Sequence, residues 1–330
     1  MPTAKTPDFW YQPRGLTSAL LWPAAQLYRL GNYIDRKNAK PEKVDIPVIA
    51  VGNAVAGGAG KTPATIAIVK LLQSMGQNPH IVSRGYGRKE DALLQVDETQ
   101  HSAADVGDEP LLLARYAPCW VNANRYEAAF AAKQAGASVI VMDDGLQHTK
   151  LQRDMMILCV SGKDGFGNGQ LIPAGPLRQP LESLLPHVHA TLVIGERSER
   201  TRAQLKGLTP CYGAALEPRN WKLAEKKVVA FAAIARPERF FTMLETEGAT
   251  IISRHAYGDH YSFTDKELAA MAEEAARNEA LLVTTEKDFA RLPTEWQERV
   301  TPLPIDLVLA ERDALGDQLQ ELLSLYYTGA

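Results

Sequence analysis

Apolar and polar positions along this chain fall into two alternating series. From Asp45 onward, short apolar runs at 46–52, 80–83, 93–96, 120–123, 138–142, 155–160 and 191–194 read as strands. Between them, residues 62–75, 109–116 and 125–134 carry helical spacing, the last closing at Gly136. Strand and helix in this alternation predict a parallel, doubly wound α/β sheet. A charged stretch at 196–206 marks a domain edge. Beyond it, a second series (228–234, 237–245, 250–253, 265–276, 281–284, 303–309, 315–323) predicts a smaller α/β unit. The expected division is a helical N-terminal segment over 1–40, a larger domain over 41–195, a linker over 196–225 and the smaller domain over 226–330.

The N-terminal pattern is different. Residues 9–33 mix Phe9, Trp10, Tyr11, Leu16, Leu20, Leu21, Trp22, Leu27, Tyr28 and Leu30 with Arg14 and Arg29, and Pro23, Gln26 and Arg29 interrupt the run. It is too short to span a bilayer, and no small-residue cleavage site marks a secretory signal. Two readings remain: an interfacial helix, or a helix packed on the protein's own core.

Composition narrows the class. With 330 residues, the chain is long enough for two cores. A net charge of −3 offers no global attraction for nucleic acid, so any anion site must be local. Three widely spaced cysteines give neither a disulfide framework nor a zinc spacing, which fits a reducing, cytoplasmic compartment.

The first apolar run leads into candidate chemistry. Val51-Gly-Asn53 is followed by Gly57-Gly-Ala-Gly-Lys-Thr62 and then a helix. Glycines let backbone N–H groups face phosphate oxygens, the helix start adds positive charge, Lys61 reaches β- and γ-phosphates, and Thr62 can ligand Mg²⁺. Val55 stands where the usual phosphate-loop pattern has its first glycine. A tight βα turn is the plainer alternative.

Other loops fall at strand ends, where doubly wound sheets bind ligands. Val139-Ile-Val-Met-Asp-Asp144 is an apolar strand ending in two carboxylates, suited to Mg²⁺ or to a simple turn, and continues to Gln147 and His148. Gly107-Asp-Glu-Pro110 opens a helix, with Asp108 either its N-cap or, with Glu109, a base or metal ligand. Ser83-Arg-Gly-Tyr-Gly-Arg88 places Arg84 among glycines, as phosphate recognition or a solvated turn would. The loop Ser161–Gln179, rich in Gly and Pro, has the length of a functional or mobile segment. His260 lies beside Asp259, ahead of a capping-box pattern at Thr264-Asp-Lys-Glu267. Thr284-Thr-Glu-Lys-Asp288 has the residues of a guanine-specificity element in the wrong order.

In this order the segments resemble the tetraacyldisaccharide 4'-kinase family. The resemblance runs from the N-terminal apolar segment to beyond Asp288 and also rests on Asn124-Arg125, Asp143-Asp-Gly-Leu-Gln-His148 and Pro173-Ala-Gly-Pro-Leu-Arg178. It implies a P-loop NTPase-like fold with a smaller α/β domain closing over the active site. It implies transfer of the ATP γ-phosphoryl group to the 4'-hydroxyl of a tetraacylated glucosamine disaccharide 1-phosphate, in lipid A biosynthesis at the cytoplasmic face of the inner membrane. On that basis Gly57, Gly58, Ala59, Gly60, Lys61, Thr62 and Pro63 contact ATP. Thr62, Glu109, Asp143 and Asp144 hold Mg²⁺, and Asp108 is the base, paired with His260. Arg84, Arg125, Gln147, His148 and Arg178 are substrate candidates. The N-terminal segment then docks on the membrane, and no nucleic acid or protein partner is required. This chain departs from the family at Gln179, where glutamate is usual, at Ala233-Ile-Ala-Arg-Pro237 and at Tyr257-Gly258. Two competing readings are a regulatory P-loop NTPase or metal-insertion chaperone acting on a protein, and a nucleotide-sensing scaffold without turnover.

Overall fold

The computed structural model describes residues 6–327 apart from 59, 89–90, 209, 220–222 and 260. The chain divides into a smaller unit, Glu217–Asp306, and a larger one made of Pro7–Leu216 and the chain from Leu307 onward.

The larger unit's strands are β1 (Val48–Asn53), β2 (Pro79–Ser83), β3 (Leu94–Gln95), β4 (Cys119–Val121), β5 (Val139–Asp143), β6 (Met155–Ser161), β7 (Ala190–Ile194) and β8 (Cys211–Pro218). In the smaller unit are β9 (Lys227–Ala232), β10 (Thr250–Ala256), β11 (Leu281–Thr285) and β12 (Thr301–Leu303), followed by β13 (Ile305–Leu309). The large sheet runs β13-β8-β7-β6-β1-β5-β2-β4-β3. Every pairing from β8 to β4 is parallel, and the short β3 lies antiparallel to its neighbour β4. Central strands are buried on both faces, so Ile49, Ala50 and Val51 form a continuous apolar run with no exposed surface.

Strand order fixes where ligands go. From β1 the chain crosses to β2 on one side, while β6 lies on the other. The carboxyl end of β1 is therefore a switch point, where loops part and leave a crevice.

Five helices matter for the site. They are α1 (Leu16–Asn38), α2 (Lys61–Ser74), α3 (Ala103–Val106), α4 (Asp108–Ala114) and α5 (Arg125–Gln134). Helix α2 buries Ala64, Ile66, Ile68, Val69, Leu71 and Leu72, which holds its N-terminus against the end of β1. Helix α1 buries only Ser18 and Ala25, with Leu21 partly buried against the core. Its Leu16, Leu20, Leu27 and Tyr33 are more than half exposed. Most of its apolar surface therefore does not pack on the protein's own core. No helix among the described residues is long and apolar enough to cross a membrane.

The division of the chain differs from the sequence expectation at two places. Residues 196–216, expected as linker, contain the helix Glu199–Gln204 and most of β8. The C-terminal helix Arg312–Tyr327 belongs to the larger unit, where it buries Leu315, Leu319 and Leu323. Its Tyr326 hydroxyl donates to Asp154 at 2.8 Å, and its Gln318 amide donates to the His189 carbonyl at 3.4 Å.

The smaller unit has an all-parallel sheet ordered β10-β9-β11-β12. Alternate residues of β9 serve its two faces. Val228 and Ala230 meet Phe240, Phe241 and Leu244, while Val229 and Phe231 meet Leu268, Met271 and Ala275. The capping box expected at Thr264 and Glu267 is present. Asp288 is fully buried and accepts from the Ala233 N–H and the Thr285 hydroxyl, both at 2.9 Å, and pairs with Arg291. A carboxylate so committed is unavailable to read a guanine base.

Candidate active site

Asn53 ends β1, and its side-chain amide donates to the Gly57 carbonyl at 3.0 Å, drawing the following loop into a turn. Gly60 caps α2 with φ +77°, and a Cβ there would lie 2.7 Å from Ile194 Cδ1. Backbone conformation and space both demand glycine. Lys61, Thr62 and Pro63 then form the first turn of α2. Gly57 is half-buried and Gly58 exposed, while Ala59 lies outside the described residues.

A second segment braces this loop. The Ala56 N–H donates to the Pro176 carbonyl at 2.7 Å, Val55 bridges Leu177, and the Arg178 N–H donates to the Ala54 carbonyl at 2.9 Å. Val55 thus serves as a strand-like contact where the usual pattern has glycine. The Gly- and Pro-rich stretch 161–179 is, at this end, a wall of the phosphate loop.

The two aspartates after β5 have different surroundings. Asp143 is 1 % exposed and accepts from the Thr65 hydroxyl at 3.1 Å. Burial raises its pKa well above the usual carboxylate range, the Glu109 and Asp144 carboxylates raise it further, and Lys61 and Thr65 oppose them. Asp144, at φ +50°, accepts from one Arg178 guanidinium nitrogen through both oxygens, at 3.0 and 2.8 Å, with Lys61 Nζ at 3.7 Å. Burial works to raise its pKa, but Lys61, Arg178 and Arg125 outweigh it and hold the carboxyl below its ordinary value. Gln147 joins the parts: its amide donates to the Asn53 carbonyl at 2.8 Å, and its oxygen accepts from Arg178 at 3.4 Å.

These groups fit Mg²⁺ by their chemistry. The nearby Glu109 and Asp144 carboxylates add to the raised proton affinity of buried Asp143, a strain that a hard cation would relieve. Among the described residues, no three acidic, histidine or cysteine side chains gather as a ready cation cage. Mg²⁺ needs none, since it commonly takes one or two carboxylates and completes its shell with water and phosphate. The threonine bonded to Asp143 is Thr65, one turn beyond the expected Thr62.

Asp108 and Glu109 are half-buried and open α4. The N-cap is Gly107, so Asp108 is the first helical residue, not the cap. Gly107 has φ +93°, and a Cβ on it would lie 2.9 Å from the Tyr86 carbonyl, which fixes the close approach of this turn to the 83–88 loop. Arg84 is exposed at the end of β2, Arg125 is buried at the start of α5, and His148 follows Asp144 in the same loop. Gln179 is fully buried, and neither atom of its amide meets a partner among the described residues. His260 lies outside the described residues.

A glycine-rich loop at the sheet's switch point, a lysine at the first helical position and a strand ending in carboxylates define a P-loop nucleotide-binding protein. The family model described as tetraacyldisaccharide-1-P 4'-kinase matches residues 17–324. A tetraacyldisaccharide 4'-kinase of Rhodospirillum centenum is 43% identical over 97% of this chain and 97% of its own length. One of Rhodospirillum rubrum is 41% identical over 96% and 98%. A crystal structure of LpxK from Aquifex aeolicus in complex with ATP aligns with TM-score 0.75 at 27% identity, covering 93% of this chain and all of that one. The chain belongs to the tetraacyldisaccharide 4'-kinase family.

Sequence reasoning missed Thr65 and the carboxylate partner of Arg178. Thr65 sits inside an unremarkable helical stretch, and no motif marks it. Arg178 was a substrate candidate, yet here it grips a carboxylate 34 positions away.

Proposed function

We propose that this protein transfers the γ-phosphoryl group of ATP to the 4'-hydroxyl of a tetraacylated glucosamine disaccharide 1-phosphate, giving the 4'-phosphorylated lipid A precursor. The observation that carries this reading is Lys61, set at the start of α2 beside Asp144, in a chain matched by the kinase family over residues 17–324. ATP lies along the loop 57–63, with Lys61 against the β- and γ-phosphates. When bound, Mg²⁺ neutralises phosphate charge, and Thr62, Glu109, Asp143 and Asp144 are the residues to hold it.

Asp108 is the proposed base. It takes the proton of the 4'-hydroxyl as the new P–O bond forms; the bond from the γ-phosphorus to the bridging oxygen breaks, and ADP keeps that electron pair. His260 is proposed as its partner. A sugar hydroxyl is a poor nucleophile, so an oriented carboxylate helps, but positioning and charge stabilisation supply most of the rate. Closure of the smaller domain over the bound substrates is part of the same proposal, because it would exclude water.

The exposed apolar side chains of α1 support an interfacial role for this helix on the cytoplasmic face of the inner membrane, where the lipid substrate resides. The protein acts there without nucleic acid or a protein partner. Incubation with Mg-ATP and the disaccharide 1-phosphate, read by mass spectrometry, tests the function. The expected result is a gain of one phosphoryl group on the lipid. ATP hydrolysis stimulated by a protein, with the lipid unchanged, would instead favour a regulatory NTPase.

A further inference from the structure

Helix α1 is mostly exposed, yet two of its polar side chains turn inward onto one stretch of backbone. Ser18, 5 % exposed, donates from Oγ to the Ala174 carbonyl at 2.9 Å. About four turns later, the half-buried Asn32 donates from its amide to the Arg178 carbonyl at 3.3 Å. Trp10, in the turn before α1, donates from Nε1 to the Pro173 carbonyl at 3.0 Å. The N-terminal segment thus holds residues 173–178 at both ends.

Those same residues brace the phosphate loop. The Pro176 carbonyl accepts from the Ala56 N–H at 2.7 Å, Leu177 bridges Val55, and the Arg178 N–H donates to the Ala54 carbonyl. Arg178 is therefore held at three points: its N–H by the loop, its carbonyl by Asn32 and its guanidinium by Asp144. Local chemistry explains why α1 supplies donors here. Pro173 and Pro176 have no N–H, so no regular ladder runs through the stretch, and its carbonyls need donors from elsewhere. A second donor to the Ala174 carbonyl is the Asn168 amide at 2.9 Å, which also reaches the Ser18 hydroxyl at 3.4 Å. Asn168 is itself buried, and a Cβ on Gly175 would run into its amide oxygen. Ser18 and Asn168 thus form a buried polar knot against this turn. Packing alone does not call for a hydroxyl at position 18, since the other buried position of α1 is filled by Ala25.

We propose that Ser18 and Asn32 are positioning residues for phosphoryl transfer: through the backbone of residues 173–178 they set the phosphate loop and the Arg178 clamp on Asp144. Neither touches a substrate. The helix that carries the exposed leucines thereby fixes the geometry of the nucleotide site, a role separate from contact with a lipid surface. The inference rests on the phosphotransferase reading above and deepens it.

The full-length protein in mild detergent micelles provides the test. ATP affinity is measured by calorimetry, and kcat and KM with Mg-ATP and the disaccharide 1-phosphate. Ser18→Val and Ser18→Thr match in shape and differ in the hydroxyl, while Asn32→Leu removes the amide at similar volume. The expected result is at least a threefold loss of ATP affinity and at least a fivefold fall in kcat for Ser18→Val and Asn32→Leu. Ser18→Thr should stay within twofold of wild type in both. Lipid KM and co-sedimentation with anionic phospholipid vesicles should change less than twofold in all three. Variants that melt at lower temperature but keep wild-type ATP affinity and kcat would make these contacts purely structural and overturn the proposal. A rise in lipid KM alone would make α1 a lipid contact only, and overturn it too. Equal losses in Ser18→Val and Ser18→Thr would assign the effect to volume and remove the role of the Ser18 hydroxyl. If Ser18→Val does not fold, Asn32→Leu decides by the same criteria. Should wild type phosphorylate no disaccharide, the lipid-kinase reading fails, while ATP affinity still reports on the positioning.

Discussion

Arg178 holds Asp144 through both carboxylate oxygens, at 3.0 and 2.8 Å. The backbone N–H of the same arginine donates to the Ala54 carbonyl in the phosphate loop. One residue therefore sets the loop's position and the orientation of a carboxylate at the end of β5. Arg178→Ala should lower kcat/KM at least tenfold, a loss of about 1.4 kcal/mol of transition-state stabilisation. The pair is roughly a quarter exposed on each side, so the loss of folding stability should be smaller, about 1 kcal/mol or less. Steady-state kinetics beside thermal denaturation separates the two effects. An unchanged kcat/KM would show that the clamp has no part in turnover.

Gly60→Ala should damage the nucleotide site more than a one-methyl change suggests. The residue sits at φ +77° and the added carbon meets Ile194, so strain and crowding act together. A destabilisation on the order of 2 kcal/mol and a severalfold weaker affinity for ATP are expected. Chemical denaturation and nucleotide titration of the purified variant check both.

The exposed side of α1 carries a separate prediction. Leu20 and Leu27 are 80 % and 73 % exposed. Each leucine transferred to a bilayer interface contributes up to about 2 kcal/mol. Leu20→Glu with Leu27→Glu should therefore cut binding to anionic phospholipid vesicles at least tenfold and leave ATP affinity unchanged. Undiminished co-sedimentation with vesicles would remove this helix from the membrane contact.

His148 predicts a pH dependence of stability. Burial, with Arg125 and other cations adding to it, pulls its pKa from 6.5 down to about 3. Between those values the unfolded chain binds a proton that the folded chain refuses. Stability from this group is thus fully present above the unfolded value and lost as pH falls through the window. Replacement by asparagine should flatten the slope of unfolding free energy against pH between about 3 and 6.5, relative to wild type. Denaturation curves at several pH values give that slope directly, and identical slopes would contradict the buried neutral imidazole.

Local periodicity carried most of the fold. The apolar runs that became β1, β5 and β6 are long, continuous and buried on both faces, so each was visible without its neighbours. The strand β8 was not. Only Tyr212 and Ala214 in it are buried, and Gly213 and Pro218 weaken the pattern. The C-terminal helix was legible as a helix, but its attachment to the larger unit depends on Tyr326 with Asp154 and Gln318 with His189, contacts that no local pattern encodes. The site divides in the same way. The order of loop, lysine and helix revealed phosphate chemistry, and Asp143-Asp144 stood out at a strand end. The bond from Thr65 to Asp143 and the use of Asp144 by Arg178 arise only when distant segments meet.

The central claim is that Lys61 and its loop deliver a phosphoryl group to one hydroxyl of a lipid disaccharide. Phosphorus NMR of the lipid recovered after reaction with Mg-ATP tests it most directly. Wild type should give a new phosphomonoester resonance coupled to the proton on the 4' carbon, and Lys61→Ala should reduce its rate of appearance at least a hundredfold. A phosphate at another position, or an equal rate from the variant, would contradict the account.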